Sequence, residues 1–122
     1  MRILLVDDDE DDHDIFREAV LIVKPDCQLT VARDGEQGLM QLTSAVLPDY
    51  IFLDVNMPKM DGKEFLKTIK ANPDLEKIPV VIYSTSKHRS ALGEYIAMGA
   101  SNYLTKPSEF NLLVSYLKSI LH

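Results

Sequence analysis

The sequence contains one cysteine and no long apolar run in its 122 residues. A single cysteine excludes an internal disulfide, and Cys27 is predicted to be a small buried apolar residue. No run approaches the ~20 apolar residues that a membrane-spanning helix needs. The first residues, Met1 and Arg2, lead into a strand and lack the features of a signal peptide. We therefore expect a cytoplasmic protein with no membrane contact.

Basic residues are also scarce: 13 Lys and Arg stand against 19 Asp and Glu, which gives a formal net charge of -6. Nucleic acids and anionic membranes attract basic surfaces, so neither is expected as a partner. The sequence has no repeat, low-complexity segment or linker, and its length suits one domain. We expect a single domain over residues 1–122 and no output domain, because the last predicted helix runs to the end of the chain.

Apolar runs alternate with amphipathic segments along the whole chain. Strands are predicted at residues 2–6, 27–32, 50–53, 80–83 and 102–105. Helices are predicted at about 12–24, from Asp34-Gly35 as far as Val46, from Gly62 to Asn72, at about 87–98 and at about 109–121. The inward face of the first helix is predicted to carry Ile15, Phe16, Ala19, Val20 and Val23. This alternation predicts βαβ units, and therefore an α/β fold with a five-stranded parallel sheet.

Charged residues directly follow three of these strands. Asp7 and Asp8 follow the first strand, Asp54 follows the third, and Lys106 and Pro107 follow the fifth. Parallel strands end at the same edge of a sheet, and open α/β sheets bind their ligands at that edge. We therefore expect three carboxylates and one ammonium to converge there. Such a cluster suits a divalent cation and a phosphoryl group.

The carboxylates of the first loop are predicted to have different roles. Asp7 and Asp8 stand at the strand end, where like charges repel unless a cation lies between them. Mg2+ prefers such oxygen ligands, whereas Zn2+ and Cu2+ favour nitrogen or sulfur. The remaining acids, at positions 9–12 and at Asp14, are predicted to be solvated residues at a helix start. His13 is predicted to be a surface residue.

The residues after the later strands each allow two interpretations. Asp54 is either a turn-starting residue or a carboxylate nucleophile that forms an aspartyl phosphate. Lys106 is either a lysine that reaches solvent from a strand end or a partner for a phosphoryl oxygen. Ser84 is a candidate donor of a hydrogen bond to the same group. Its polar neighbours remain alternatives for that role: Tyr83, Thr85 and Ser86.

Further motifs accompany these residues at particular points of the chain. They are Asp34-Gly35-Glu36, Asn56-Met57-Pro58, Met60-Asp61-Gly62, Gly99-Ala100, and Tyr103 before Lys106-Pro107. Together with the residues at the strand ends they resemble the receiver domain of two-component response regulators, over essentially the whole chain. The resemblance implies a CheY-like, flavodoxin-like fold: a three-layer (βα)5 doubly wound sandwich with strand order 2-1-3-4-5.

The resemblance implies a phosphoacceptor with a metal site. Asp54 would take a phosphoryl group from a phosphohistidine on a sensor histidine kinase or a histidine phosphotransfer protein. Mg2+, or Mn2+ in its place, would be bound by Asp8 and Asp54, by Asp7 largely through water, and by the backbone carbonyl of Asn56. Such a protein is a signalling phosphoacceptor that catalyses its own phosphorylation and dephosphorylation, and it is not counted as an enzyme.

The resemblance also implies a switch. Lys106 and Ser84 would contact the phosphoryl group, and Tyr103 would turn inward as the Ser84 hydroxyl moves to the phosphate. The fourth helix, fifth strand and fifth helix would form the signalling surface, for which Tyr95 and Tyr116 are candidates, with a core role open for either. The output is then a contact with a downstream protein, a homodimer, or onward relay of phosphate.

The sequence departs from the family at some positions. Ser108 stands where many relatives have a bulky aromatic residue, and positions 56 and 86 lie where the family tunes the lifetime of the phosphoryl group. The acid-rich first loop and the segment Asn72-Pro73-Asp74 resemble single-domain receivers that serve phytochrome-type kinases.

Three other functions are compatible with parts of the pattern. A phosphatase of the haloacid dehalogenase type would need an Asp at position 56, where this chain has Asn, and a cap domain. An FMN carrier would need hydroxyls and N–H groups after the first strand, where Asp7 and Asp8 would repel its phosphate. A docking module that no longer uses phosphate remains an alternative, although it would not need all the residues of the site.

Overall fold

The structure, a computed structural model, describes residues 1–43, 46–55, 61–85 and 92–121. The strands are β1 (Arg2–Val6), β2 (Gln28–Ala32), β3 (Tyr50–Leu53), β4 (Val80–Ser84) and β5 (Asn102–Thr105). The helices are α1 (Glu10–Val23), α2 (Gly35–Gln41), α3 (Gly62–Ala71), α4 (Leu92–Ala97) and α5 (Phe110–Ile120). Strands and helices alternate as the sequence predicts.

The five strands form one parallel sheet in the order β2-β1-β3-β4-β5. This order confirms the flavodoxin-like α/β fold. Val6 lies opposite Leu53 where β1 pairs with β3, and Ser84 lies opposite Thr105 where β4 pairs with β5. The residues that follow these four strands therefore leave the sheet at the same edge.

Helices cover both faces of the sheet. Ile3, Leu5 and Phe16 belong to a core cluster between the sheet and the helices α1 and α5. Leu4 and Phe65 belong to a second cluster, on the face that α2, α3 and α4 cover. Burial on both faces explains why β1 and β4 are continuous apolar runs without alternation. The three predicted layers are thus helix, sheet and helix.

Aspartate side chains fix where three of the helices begin. Asp9, Asp34 and Asp61 are the N-cap residues of α1, α2 and α3, and each carboxylate accepts a hydrogen bond from a backbone N–H of the first turn. Because Asp9 caps α1, this helix begins at Glu10, two residues before the predicted start. The cap therefore brings the acid-rich segment into the helix itself.

Gly62 lets α3 begin directly beside the end of β3. Its N–H donates to the Val55 carbonyl at 3.3 Å. A Cβ at this position would lie 2.8 Å from the Val55 Cα, so any side chain would displace the backbone next to Asp54. Gly99 has a φ of 110° and follows the last turn of α4, as predicted.

Some packing predictions differ from the structure. Ile15 is 44% exposed, because the buried face of α1 runs through Phe16 and its helical neighbours. Val46 lies beyond the end of α2 and is 52% exposed. Cys27 is half-buried against the core on the α1 side. The predicted start of α4 at residue 87 lies outside the described residues. Within the described ranges, each helix is too short or too polar to cross a membrane.

Candidate functional site

Three carboxylates lie together at the edge of the sheet where β1 and β3 end. Asp7, Asp8 and Asp54 each place one oxygen within 4.8 Å of the others. Backbone hydrogen bonds extend the strand pairing to this point. The N–H of Asp54 donates to the Val6 carbonyl and that of Asp7 to the Ala32 carbonyl, each at 2.9 Å. The sheet register itself therefore brings the carboxylates together.

The three carboxylates differ in burial. Asp8 is exposed, whereas Asp7 is 0% and Asp54 7% exposed. Asp7 accepts a hydrogen bond from the Asp9 N–H at 3.0 Å, and its Oδ2 lies 2.8 Å from the Lys106 Nζ. Burial nevertheless raises the pKa of the Asp7 carboxyl to about 6, because the loss of hydration outweighs these two contacts. An additional cation would therefore stabilise the Asp7 carboxylate.

Lys106 brings a positive charge to the site from the end of β5. Its Nζ lies 2.6 Å from an oxygen of Asp12, 2.8 Å from one of Asp7 and 3.6 Å from one of Asp54. Burial alone would lower the pKa of the ammonium. The carboxylates of Asp12 and Asp7 outweigh burial, and the pKa of Lys106 is raised above its usual value. At 13% exposure, Lys106 is a fixed cation beside Asp54 and does not reach into solvent.

Ser84 ends β4 as a fully buried residue. Its carbonyl accepts the Lys106 N–H at 2.6 Å, and its Oγ has no hydrogen-bond partner among the residues that the structure describes. A buried hydroxyl in this state is destabilising unless another group completes its hydrogen bonding. Of the alternatives, Tyr83 is buried in the core on the α1 side and Thr85 is exposed. Ser86 lies outside the described residues.

The tyrosines considered for the switch lie in different surroundings. Tyr103 lies opposite Ile82 in the sheet and is half-buried against the core cluster on the α4 side. Tyr95 is buried in that cluster, and burial raises the pKa of its phenol to about 12. Tyr116 is 43% exposed on α5. Asn56, the predicted source of a metal-binding carbonyl, lies outside the described residues.

Two residues that the sequence predicts to be solvated belong to the site. Asp12 is 24% exposed and pairs with Lys106. His13 is 7% exposed, and its Nε2 donates to the Asp7 carbonyl at 2.5 Å. Helical spacing could have identified His13, which precedes the buried Phe16 by three residues and Val20 by seven. The role of Asp12 depends on the early start of α1, which the pattern of apolar residues does not indicate.

The donor set fits a hard divalent cation. Within the described ranges, Asp7, Asp8 and Asp54 are the carboxylates close enough together to share an ion, and they offer oxygen atoms alone. Oxygen ligands suit Mg2+ and Mn2+ better than Zn2+ or Cu2+. The raised pKa of Asp7 indicates that the negative charge there is under-compensated.

Comparison with known proteins places the chain in one family. The family model of the response regulator receiver domain matches residues 3–118. The response regulator Rcp1 of Synechocystis sp. is 34% identical over 126 residues, which cover 97% of this chain and 84% of Rcp1.

Solved structures show the same fold. The phosphorylated cyanobacterial phytochrome response regulator RcpA has a TM-score of 0.87 at 33% identity, and the match covers 98% of this chain and 89% of RcpA. The Mn2+-bound form of Rcp1 has a TM-score of 0.85 at 34% identity, over 98% of this chain and 90% of that chain. The chain is therefore similar in fold to response regulators of known structure.

Proposed function

Because the chain belongs to the response regulator receiver domain family, we propose that it accepts a phosphoryl group on Asp54. The observation that carries this proposal is the convergence on Asp54 of two further carboxylates and the Lys106 ammonium. A buried carboxylate in such surroundings is suited to act as a nucleophile toward phosphorus. A cytoplasmic location is part of the proposal.

The proposed reaction transfers a phosphoryl group from a nitrogen or oxygen atom of the donor to a carboxylate oxygen of Asp54. A carboxylate oxygen of Asp54 forms the new bond to phosphorus while the bond from phosphorus to the donor breaks. The electron pair of the broken bond leaves with the donor, which is an imidazole nitrogen for phosphohistidine and acetate for acetyl phosphate. The product is an aspartyl phosphate, which water later hydrolyses.

Asp7, Asp8 and Asp54 would hold Mg2+ or Mn2+, and the backbone carbonyl of Asn56 is proposed as a further ligand. A bound divalent cation supplies positive charge that offsets the charge of the phosphoryl oxygens. The fit of the carboxylates supports this, and Rcp1 is known in a Mn2+-bound form.

Two other residues are proposed to contact the phosphoryl group itself. Lys106 already places its ammonium 3.6 Å from an Asp54 oxygen. Ser84 has a buried hydroxyl that could donate to a phosphoryl oxygen, since no described residue accepts it. Both groups would stabilise charge on the transferred group.

The new charge on Asp54 is proposed to act through Tyr103 and the surface of α4, β5 and α5. Phosphorylation adds about -1.5 to -2 charge and three acceptor oxygens at one point. Movement of Ser84 toward them would open space into which the half-buried Tyr103 turns, shifting an existing equilibrium between two states. Tyr116 is exposed on this surface, which makes it a contact candidate for a downstream protein or a second copy of the chain.

The donor is proposed to be a sensor histidine kinase or a histidine phosphotransfer protein. RcpA is a phytochrome response regulator, and its structural match covers 98% of this chain. We therefore extend the proposal to a kinase of the phytochrome type. The kinase would first be autophosphorylated on histidine. Transfer would then be measured as the appearance of its phosphoryl group on this protein.

Acetyl phosphate with Mg2+ tests the phosphoacceptor directly. Wild type should gain the mass of one phosphoryl group in intact-mass spectrometry, and Asp54→Asn should gain none. Asp14→Asn makes the same chemical change at an exposed position of α1 and should be labelled like wild type. Equal labelling of wild type and Asp54→Asn would overturn the assignment.

A docking module that does not use phosphate is the second candidate, and the output experiment separates the two. Untreated protein and protein treated with beryllofluoride would be compared for binding of candidate partners and for self-association. The switch requires that binding differ between the two forms. Equal binding favours the docking module.

A further inference from the structure

Asp12 makes the shortest of the three carboxylate contacts with Lys106. The distance from Asp12 Oδ2 to the Lys106 Nζ is 2.6 Å, against 2.8 Å for Asp7 and 3.6 Å for Asp54. Asp12 is separated from Lys106 by 94 positions in the sequence, so the contact joins α1 to the loop after β5. It is an ion pair between two structural elements that border the site.

The position of Asp12 is fixed by the start of α1. Its backbone N–H donates to the Asp9 carboxylate at 3.4 Å, as part of the cap that begins the helix. The side chains of Asp12 and Lys106 are 24% and 13% exposed, so water screens their attraction less than on an open surface. The pair therefore restrains the lysine more than a surface ion pair would.

We propose that Asp12 is a positioning residue, which holds the Lys106 ammonium in place for phosphoryl transfer to Asp54. This inference rests on the proposed function. An ammonium group has three N–H donors. Asp12 accepts a hydrogen bond from this ammonium at 2.6 Å, and the nearest oxygens of Asp7 and Asp54 lie 2.8 and 3.6 Å from it as ion-pair partners.

Lysine needs such a restraint more than arginine does. Its four-carbon stem is flexible and its ammonium has no fixed plane, so orientation has to come from the partners. A cation that is already oriented toward the reacting group lowers the barrier, because little reorganisation remains for the transition state. Asp12 supplies this orientation from a helix and not from a loop.

Asp12 is also independent of the carboxylates that would hold a metal. The group close enough to share an ion consists of Asp7, Asp8 and Asp54, and Asp12 is outside it. Asp7 is therefore assigned two tasks, toward the metal and toward Lys106. Asp12 has the second task alone, so its removal should affect Lys106 without removing a metal ligand.

The rate of phosphorylation by acetyl phosphate with Mg2+ is the first measurement. Asp12→Asn loses one charge-assisted hydrogen bond, so its phosphorylation rate at saturating acetyl phosphate should be about fivefold lower than that of wild type. The half-saturating concentration of acetyl phosphate should change little. The matched control is Asp11→Asn, which removes the same charge from an exposed position in the same turn. This control shows how much the change of net charge alone alters the rate of phosphorylation by an anionic donor. Asp12→Glu keeps the charge and should recover part of the rate.

A double-mutant cycle separates positioning from a general structural effect. In the Lys106→Ala background there is no ammonium to orient, so adding Asp12→Asn should change the rate no more than adding Asp11→Asn does. A further fivefold loss in that background would overturn the proposal, because Asp12 would then act without Lys106.

A second readout does not depend on phosphorylation. The NMR signals of the Lys106 side chain, in metal-free protein, should shift in Asp12→Asn and stay in place in Asp11→Asn. The proposed function fails if wild type takes no label from acetyl phosphate, and the positioning role falls with it. If wild type is labelled, the positioning role alone fails when Asp12→Asn reacts at the rate of Asp11→Asn or leaves the Lys106 signals unmoved.

Discussion

His13 donates a hydrogen bond from its Nε2 to the backbone carbonyl of Asp7, over 2.5 Å. The histidine is 7% exposed, so the bond satisfies a carbonyl inside the protein where the chain leaves β1. It also ties the first turns of α1 to the backbone of the residue whose carboxylate is the most deeply buried in the site. The imidazole thereby acts as part of the framework that holds Asp7.

Replacing this histidine should destabilise the fold by removing the donor. His13→Phe keeps a ring in the core but leaves the Asp7 carbonyl unpaired, which should lower the free energy of unfolding by about 1–3 kcal/mol. His13→Gln keeps an N–H donor and should lose less. Urea unfolding followed by circular dichroism measures both. Equal stability of His13→Phe and wild type would show that the hydrogen bond is unimportant.

The buried Asp7 should make stability depend on pH in metal-free buffer. Its pKa is raised to about 6 in the folded protein, so the folded state holds the proton more tightly than the unfolded chain. The stability contributed by this group is then fully present below the ordinary pKa of a carboxyl, and it is lost as the pH rises through about 6.

Asp7→Asn should therefore be more stable than wild type above pH ~7 by about 1–3 kcal/mol, and the difference should shrink toward pH ~4. Urea unfolding of both proteins with a chelator, across this range, tests the sign. Carboxyl groups remote from Asp7 titrate alike in the two proteins and cancel in the difference. A difference that grows toward low pH would contradict the assignment.

A divalent cation should stabilise the protein through the same carboxylates. At 100 times its dissociation constant, a ligand that binds the folded state alone adds about 2.7 kcal/mol. Mg2+ should thus raise the melting temperature of wild type, and a chelator should reverse the rise. Asp8→Asn removes an exposed ligand without disturbing the core and should abolish most of the response, whereas Asp11→Asn should retain it. An unchanged response in Asp8→Asn would place the cation elsewhere.

The fold was predictable from the sequence because its signals are local and repeated. Apolar runs at β1 and β4 are buried on both faces, and the capping aspartates and Gly99 mark helix ends. Helix boundaries were less predictable. The cap at Asp9 starts α1 early, and α2 ends at Gln41, before Val46, which was predicted to belong to it. The start of α1 is set by hydrogen bonds between backbone N–H groups and the Asp9 side chain, which the pattern of apolar residues does not report.

The site was predictable where strand ends determine it. Asp7, Asp8, Asp54 and Lys106 follow strands of one parallel sheet, so the topology alone brings them together. Asp12 was not predictable in this way, because its contact with Lys106 depends on α1 beginning at Glu10, two residues before the predicted start.

Two glycines in helices provide a matched test of how closely α3 approaches the site. A Cβ on Gly62 would lie 2.8 Å from the Val55 Cα, whereas one on Gly93 meets no atom of the described residues within 4 Å. Gly62→Ala should lower the free energy of unfolding by about 1–3 kcal/mol, because the helix start must shift. Gly93→Ala should raise it by about 0.5–1 kcal/mol through helix propensity. Equal effects of the two substitutions, measured by urea unfolding, would contradict the close approach.

The location of the phosphoryl group tests the central claim most directly. Wild type would be phosphorylated with acetyl phosphate and Mg2+, the acyl phosphate reduced with borohydride, and the digested protein sequenced by mass spectrometry. Reduction converts an aspartyl phosphate to homoserine and so marks the acceptor permanently. The expected result is homoserine at position 54 alone. Homoserine at Asp7, Asp8 or Asp12, or none at all in folded wild type, would contradict it.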